Sequence, residues 1–161
     1  MSRLSLLLSA RASRWSMVLL ACVSAGSATA CVHRSRALAT LSPPTEILGD
    51  FQDDYDNHFR ISATEWVQLP HGRFHVVSWD PRAQYFIARN DSANASAPGR
   101  WSRIDWMWLP GMAPYAWGFC LAAYDKVSRA EAERTTIARR ETPKIGCNGF
   151  PFSRMRRVDT R

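Results

Sequence analysis

The residues best suited to chemistry early in the chain are the acids of "DFQDDYDNH", residues 50–58. Closely spaced carboxylates of this kind are the ligands that Ca²⁺ prefers. If Asp54 is placed first in an EF-hand loop, however, Phe59 occupies the sixth position, which requires glycine. The stretch therefore predicts a hairpin turn with solvated carboxylates, and the alternative is an irregular cation site at Asp53, Asp54 and Asp56.

Two histidines in "HGRFH", His71 and His75, have the i, i+4 spacing of helical zinc ligands. Pro70 and Gly72 argue against a helix at this point. In a strand, the same spacing separates two residues by about 13 Å, which is too far for one metal ion. The pair therefore predicts no metal site.

Motifs of hydrolases, metallopeptidases and nucleotide-binding enzymes do not occur after residue 30. The scattered acids and histidines suggest neither a catalytic triad nor the carboxylate pair of a glycosidase. We therefore expect no enzymatic activity and no cofactor. An enzyme of uncharacterised type is the alternative, and it would require Asp53, Asp54, His58 and Asp105 to share one cleft.

The N-terminal segment predicts export from the cytoplasm. Residues 1–14 contain three arginines and no acid, residues 15–23 are mostly apolar, and small residues follow. The sequence "ATAC" (28–31) combines a small-residue cleavage site with a cysteine and resembles a bacterial lipobox. We expect a signal peptide over 1–30, acylation of Cys31, and delivery to the outer membrane or periplasm, where the lipid contacts the membrane.

Three alternatives to this lipoprotein interpretation are open. Cys22 ends a second lipobox-like run, "LLAC", but Arg14 lies close upstream and leaves almost no apolar core. Cleavage without acylation would give a secreted protein, and an uncleaved signal would act as an anchor.

Export also changes the charge of the chain and its predicted division. Removal of residues 1–30 takes away three arginines and no acid, so the net charge falls from +7 to +4. Nucleic acid is therefore not an expected partner. The rest divides into a tether (31–45), one small β-rich domain (46–155) and a basic tail (156–161).

Cysteine usage predicts one disulfide in the mature chain. Cys22 leaves with the signal and Cys31 carries lipid, so Cys120 and Cys147 remain in an oxidising compartment, where two thiols normally pair. A structural role is favoured over a catalytic one because no histidine follows either cysteine.

Hydrophobic alternation after residue 46 has a period of two, which is typical of strands. Five such runs are HFRIS (58–62), RFHVVSWD (73–80), QYFIARND (84–91), WSRIDWMW (101–108) and YAWGFCLAAYD (115–125). Asp80-Pro81 predicts a tight turn between the second and third runs. The pattern predicts an antiparallel meander of five or six strands, as a curled sheet or partial barrel.

One helix is predicted after these strands. Ser128 and Glu131 form the S-x-x-E of a capping box, residues 128–141 are rich in helix formers, and Pro143 ends the segment. Arg139 and Arg140 would lie in the last turn. The predicted fold is mainly β (α+β), with one C-terminal helix and a stapling disulfide.

The tryptophan-rich run 101–108 contains two different faces if it is a strand. One face holds Ser102, Ile104, Trp106 and Trp108, and the other holds Trp101, Arg103, Asp105 and Met107. The first face predicts core, with Trp106 buried. On the second face, Arg103 and Asp105 can pair with each other or with neighbouring strands.

Four aromatic residues are candidates for ligand binding: Trp101, Trp108, Tyr115 and Trp117. Tyr115 and Trp117 are two apart on one strand face, which suits stacking on a ligand and core packing equally. For Trp101 and Trp108, at the strand ends, both interpretations stay open. At an open end of the sheet these residues would bind a glycan or a small amphipathic molecule.

Four stretches together resemble a group of small bacterial exported proteins, often lipoproteins: FIARND (86–91), WSRIDW (101–106), GFCLAAYD (118–125) and GCNGFPF (146–152). The group's pattern is W-[ST]-R-[FI]-D-W, [FY]-C-x-x-x-Y, an alanine-rich helix and G-C-x-G-[FY]. The resemblance covers about residues 46–154. It implies the fold and the disulfide but no catalytic residue. The chain departs from the pattern at "DWMWLPGM", where Thr is expected after the second tryptophan.

These observations predict an exported envelope protein that acts as a non-catalytic binding or structural module. Its partner would be an unknown envelope protein, reached through an exposed apolar patch, or a glycan or small ligand held by aromatic residues.

Overall fold

The computed structural model describes residues 41–158, which form eight strands, one 3-10 turn and one short helix. In chain order these are the 3-10 turn Thr45–Ile47, β1 Gly49–Asp53, β2 His58–Ile61, β3 Glu65–Leu69, β4 Gly72–Asp80, β5 Tyr85–Asn90, β6 Trp101–Trp108, β7 Trp117–Lys126, α1 Arg129–Arg134 and β8 Ser153–Arg157. The predicted signal peptide and Cys31 lie outside the described residues. No helix within 41–158 has the length and apolarity needed to cross a membrane.

The eight strands form one closed antiparallel barrel in which each strand pairs with its neighbours in sequence. Closure occurs between β1 and β8, where Asp53 lies opposite Met155. Closing the sheet removes its exposed edges, where other chains could pair. The predicted antiparallel meander is confirmed, but with eight strands instead of five or six. The end of β8 also includes Arg156 and Arg157, which were predicted to be part of a basic tail.

Large aromatic side chains fill the inside of the barrel. Buried members of this cluster include Phe51, Phe59, Trp66, Trp79, Phe86, Trp106 and Trp117, with the partly buried Phe119 packed against them. Trp66 lies near the centre, with ring centroids 5.3 Å from Phe59 and 5.0 Å from Phe119, in edge-to-face geometry. An eight-stranded barrel is just wide enough for side chains to fill it, and here they do.

One end of the barrel is closed by the 3-10 turn. Ile47 is fully buried and belongs to the interior cluster. Arg157 lies over the ring of Phe51, at 4.8 Å, and donates hydrogen bonds to the carbonyl oxygens of Leu48 and Glu46. The last strand therefore holds the entry to the first strand in place.

Residues 127–152, here called the strap, connect β7 to β8 across the outside of the barrel. α1 packs against β5, β6 and β7. Ser128 caps it by accepting a hydrogen bond from the backbone N–H of Glu131, as the capping box predicts. The predicted Cys120–Cys147 disulfide is present and ties the strap to β7.

The helix is much shorter than predicted, because it ends at Arg134 and not near residue 141. Beyond it, Arg139 donates its backbone N–H to the carbonyl of Gly146, so this part of the strap folds back on itself. Arg140 is therefore outside the helix, and its guanidinium donates to the backbone carbonyls of Trp106, Ala83 and Gln84. Tertiary contacts thus override a helix-forming composition.

Asp105 binds two arginines beneath the strap. It is only 2% exposed and accepts two hydrogen bonds from Arg103, at 2.7 and 3.0 Å, and one from Arg140 at 3.1 Å. The Arg103 guanidinium also lies 3.9 Å from the ring centre of Tyr85 and donates to the carbonyl of Glu133 in α1. Of the two pairings left open for Arg103 and Asp105, the structure has them paired with each other, and the pair anchors the strap to the barrel.

The two histidines of "HGRFH" are not brought together. His71 lies in the turn between β3 and β4, whereas His75 in β4 contacts Asp91, with 2.8 Å between His75 Nε2 and Asp91 Oδ2. The pKa of Asp91 lies below its usual value. The main cause is a hydrogen bond from the backbone N–H of Ala93 to the carboxylate, and the second is the hydrogen bond with His75.

This lowered pKa predicts a stability effect with a defined sign. Because the folded protein favours the ionised carboxyl, the contribution is fully present above the unfolded pKa, about 3.9, and is lost as the pH falls through the folded value. We expect the wild type to be more stable than Asp91→Asn at pH 5 and this advantage to shrink below pH 4. Urea unfolding of both proteins across this range measures it. An equal difference at pH 2 and pH 6 would contradict the prediction.

Candidate functional site

Asp53 and Asp105, which the enzyme alternative requires in one cleft, have separate structural roles. The β1–β2 turn forms as predicted, but the carboxylate of Asp53 is not solvated: it is 3% exposed and accepts hydrogen bonds from the backbone N–H groups of Tyr55 and Asn57. Asp105 lies under the strap on β6, and β7 and β8 separate that strand from β1. Across residues 41–158, no three His, Cys, Asp or Glu side chains are grouped as metal ligands.

The four aromatic candidates occupy different environments. Trp117 is 0% exposed and packs inside the barrel against Phe51, at 5.2 Å between ring centres. Trp101 and Trp108 lie at opposite ends of β6, so one small ligand cannot contact both. Trp108 is 40% exposed, whereas the partly buried Trp101 lies 6.0 Å from the guanidinium of Arg89. Tyr115 lies 4.8 Å from the guanidinium carbon of Arg154.

A groove of about 400 Å³ lies beside this last pair. We call it the apolar groove, and its lining is Asp54, Tyr55, Leu109, Met112, Pro143, Lys144, Pro151, Phe152 and Arg154. Most of these side chains are apolar, and the charged ones number three. Its volume falls within the usual range of small-molecule sites, about 300–1,000 Å³.

The stagger of the barrel strands brings the walls of the groove together. Met155 lies opposite both Trp117, at the start of β7, and Asp53, at the end of β1. The β1–β2 turn therefore comes close to the β6–β7 connection, although the turn follows the C-terminal end of β1 and the connection precedes the N-terminal end of β7. The strap supplies the third wall, where the backbone N–H of Phe152 donates to the carbonyl of Pro143, at 2.9 Å.

Arg154 has a fixed position at the edge of the groove. Its Nε donates to Asp54 Oδ2 at 2.7 Å, and its backbone N–H donates to the other carboxylate oxygen of Asp54 at 2.9 Å. The hydrogen bond to Asp54 raises the pKa of Arg154 above its ordinary value. Among the described residues, its two terminal nitrogens have no hydrogen-bond partner.

Lys144 is the second cation of the groove and is exposed. With Arg154 and Lys144 against Asp54, the lining carries one net positive charge. The floor is apolar because Leu109 and Phe152 are buried there. The site thus combines an apolar surface with cations at its edge, which suits a ligand that has both an apolar and an anionic part.

Sequence reasoning identified this region only in part. Tyr115 was a ligand-binding candidate and contacts Arg154, while Trp108 directly precedes the groove residue Leu109. Arg154 and Phe152 were not predicted to be functional. Phe152 ends the "GCNGFPF" stretch, but nothing in that spacing indicates which residues from other parts of the chain it contacts.

Comparisons with known proteins give no match: no protein-family profile, no curated protein and no solved structure is significantly similar to this chain.

Proposed function

We propose that this protein is an exported, envelope-associated lipoprotein that acts as a non-catalytic binding module. The observation that carries the binding role is the contrast between the inside and the outside of the barrel. The inside is filled by aromatic side chains, whereas the apolar groove is open to solvent. Binding therefore takes place on the outer surface, between the β1–β2 turn, the β6–β7 connection and the strap.

The groove favours a small amphipathic ligand over a glycan. Sugar recognition relies on several hydrogen-bonding side chains around an aromatic platform, and here the lining is mainly apolar, with Pro143, Pro151 and Met112 among its residues. Apart from the hydroxyl of Tyr55, the polar side-chain groups of the lining are charged, and they lie on Asp54, Lys144 and Arg154.

A protein partner is the second candidate, and a different surface favours it. Leu121 and Tyr124 on β7 and Phe150 in the strap are exposed and line a second depression, of about 310 Å³, next to the disulfide. Phe150 is 71% exposed, which is unusual for so large an apolar side chain. Failure of crosslinkers placed at Phe150 to capture an envelope protein would weaken this candidate.

Lipid anchoring is tested by the intact mass of the protein isolated from its native membrane fraction. We expect a chain that begins at Cys31 and carries a diacyl or triacyl addition, and a two-dalton gain on reduction of the Cys120–Cys147 disulfide. A Cys31→Ser variant should lose the lipid mass, while Cys22→Ser should keep it. An unacylated wild-type chain in the soluble fraction would overturn the lipoprotein proposal.

A further inference from the structure

We propose that the apolar groove binds the monomer of a single-chain anionic amphiphile, an acyl chain that ends in a carboxylate or a phosphate. The inference rests on the proposed binding role of the groove and adds the chemical class of its ligand. It is independent of whether the protein is lipid-anchored.

The apolar walls of the groove are the reason for proposing a ligand with an acyl chain. Leu109 and Phe152 form a buried floor, and the more exposed Tyr55 and Met112 border it. Met112 and Tyr55 are 40% and 61% exposed, so a chain in the groove would remove apolar surface of both from water. Each CH₂ group of the ligand buried in this way adds to the affinity.

The cations of the groove, Arg154 and Lys144, are the reason for proposing a ligand with an anionic end. The two oxygens of Asp54 accept hydrogen bonds from the Nε and the backbone N–H of Arg154, which leaves the terminal nitrogens of that guanidinium available to a ligand. A guanidinium can donate two parallel hydrogen bonds to a carboxylate or a phosphate. Tyr115, against the guanidinium, limits its movement. Lys144 supplies a second positive charge on the strap side.

The shape of the site favours a single molecule over a bilayer surface. The apolar residues lie in a concave groove between three segments, whereas a bilayer-binding surface needs apolar residues that project beyond the cationic ones. The groove volume, about 400 Å³, also suits one acyl chain and not a two-chain lipid.

The direct test titrates decanoate, below its micelle-forming concentration, into the predicted mature chain, residues 31–161, carrying Cys31→Ser so that it cannot be acylated. Calorimetry measures the affinity, and ¹H–¹⁵N spectra locate the site. We expect saturable binding with shifts at Leu109, Met112, Lys144 and Phe152. Acetate, which lacks the chain, and decyltrimethylammonium, which carries the opposite charge, should each bind at least about tenfold more weakly.

Two matched pairs of variants assign the contacts. Lys144→Gln should weaken decanoate binding about threefold, and Lys126→Gln, which removes the other lysine of the chain far from the groove, should not. Met112→Ser should weaken it about fivefold, whereas Val127→Ser, at an exposed apolar residue outside the groove, should not. All four positions are exposed or partly exposed, so folding is not at risk.

Several results would overturn the proposal. These are no saturable decanoate binding, equal binding of the cationic amphiphile, or equal losses in the Lys144 and Lys126 variants. Binding to phosphatidylglycerol vesicles without binding of decanoate would assign the groove to a bilayer surface instead. The intact-mass experiment does not depend on any of these results, so the anchoring proposal and the ligand proposal can fail separately.

Discussion

Replacing Asp105 by alanine is expected to lower the free energy of unfolding by about 3–5 kcal/mol. The carboxylate is buried and accepts hydrogen bonds from Arg103 and Arg140, so its removal leaves two cations without their anion. The unpaired charge is most unfavourable on Arg103, because this residue is only 8% exposed. Arg140 is more exposed and keeps three backbone carbonyls as partners.

Urea unfolding of the oxidised protein measures this loss, and Glu65→Ala is the matched control. Glu65 also binds an arginine, Arg73, at 2.9 Å, but that pair is exposed and should contribute less than about 1 kcal/mol. The double variant Arg103→Met/Asp105→Leu should be more stable than Asp105→Ala, because it removes the buried charge together with its partner. If Asp105→Ala and Glu65→Ala lowered stability equally, the buried network would not anchor the strap.

The strands with clear alternation could be predicted from the sequence. In β6, Ile104 and Trp106 belong to the interior cluster, as the period of two predicts. Arg103 and Asp105, on the other face, are also buried, because the strap covers them. The β4–β5 hairpin also forms where Asp80 predicts a turn, and its side chain accepts the backbone N–H of Ala83. In these elements local pattern and tertiary packing agree, so local reasoning is sufficient.

Strands β1 and β8 were missed because each carries few large apolar residues. β3 was missed although it holds Trp66, Val67 and Leu69. β8 reads "SRMRR", and only Met155 is buried inside the barrel. Such a segment becomes a strand because its neighbours β7 and β1 are both available for pairing. The closure of the barrel is therefore a property of the whole sheet, and no single run of sequence contains it.

The groove could not be predicted for the same reason. Its central contact joins Asp54 to Arg154, which are 100 residues apart in sequence. Considered alone, Asp54 reads as a turn acid and Arg154 as part of a basic C-terminal segment. Their proximity depends on the stagger of an eight-stranded barrel, and a meander of five or six strands does not predict it.

Removal of the disulfide in Cys120→Ala/Cys147→Ala is the second large effect, with an expected loss of about 3–4 kcal/mol. The bridge joins residues 27 apart in sequence, and it restricts the unfolded chain over that length. Alanine is the appropriate replacement because Cys120 is buried beside Ala122 and Phe152, where a serine hydroxyl would lack a partner. Thermal and urea unfolding of the variant, compared with the oxidised protein, measure the loss.

A double-mutant cycle with Arg140→Met shows whether the bridge and the ion network act on the same segment. Both hold the strap on the barrel, the disulfide at Cys147 and Arg140 seven residues earlier. Once the disulfide is gone, the strap can leave the barrel more easily, so Arg140→Met should cost less in the alanine background than in the oxidised protein. Additive losses would mean that the strap is held independently at Arg140 and at Cys147.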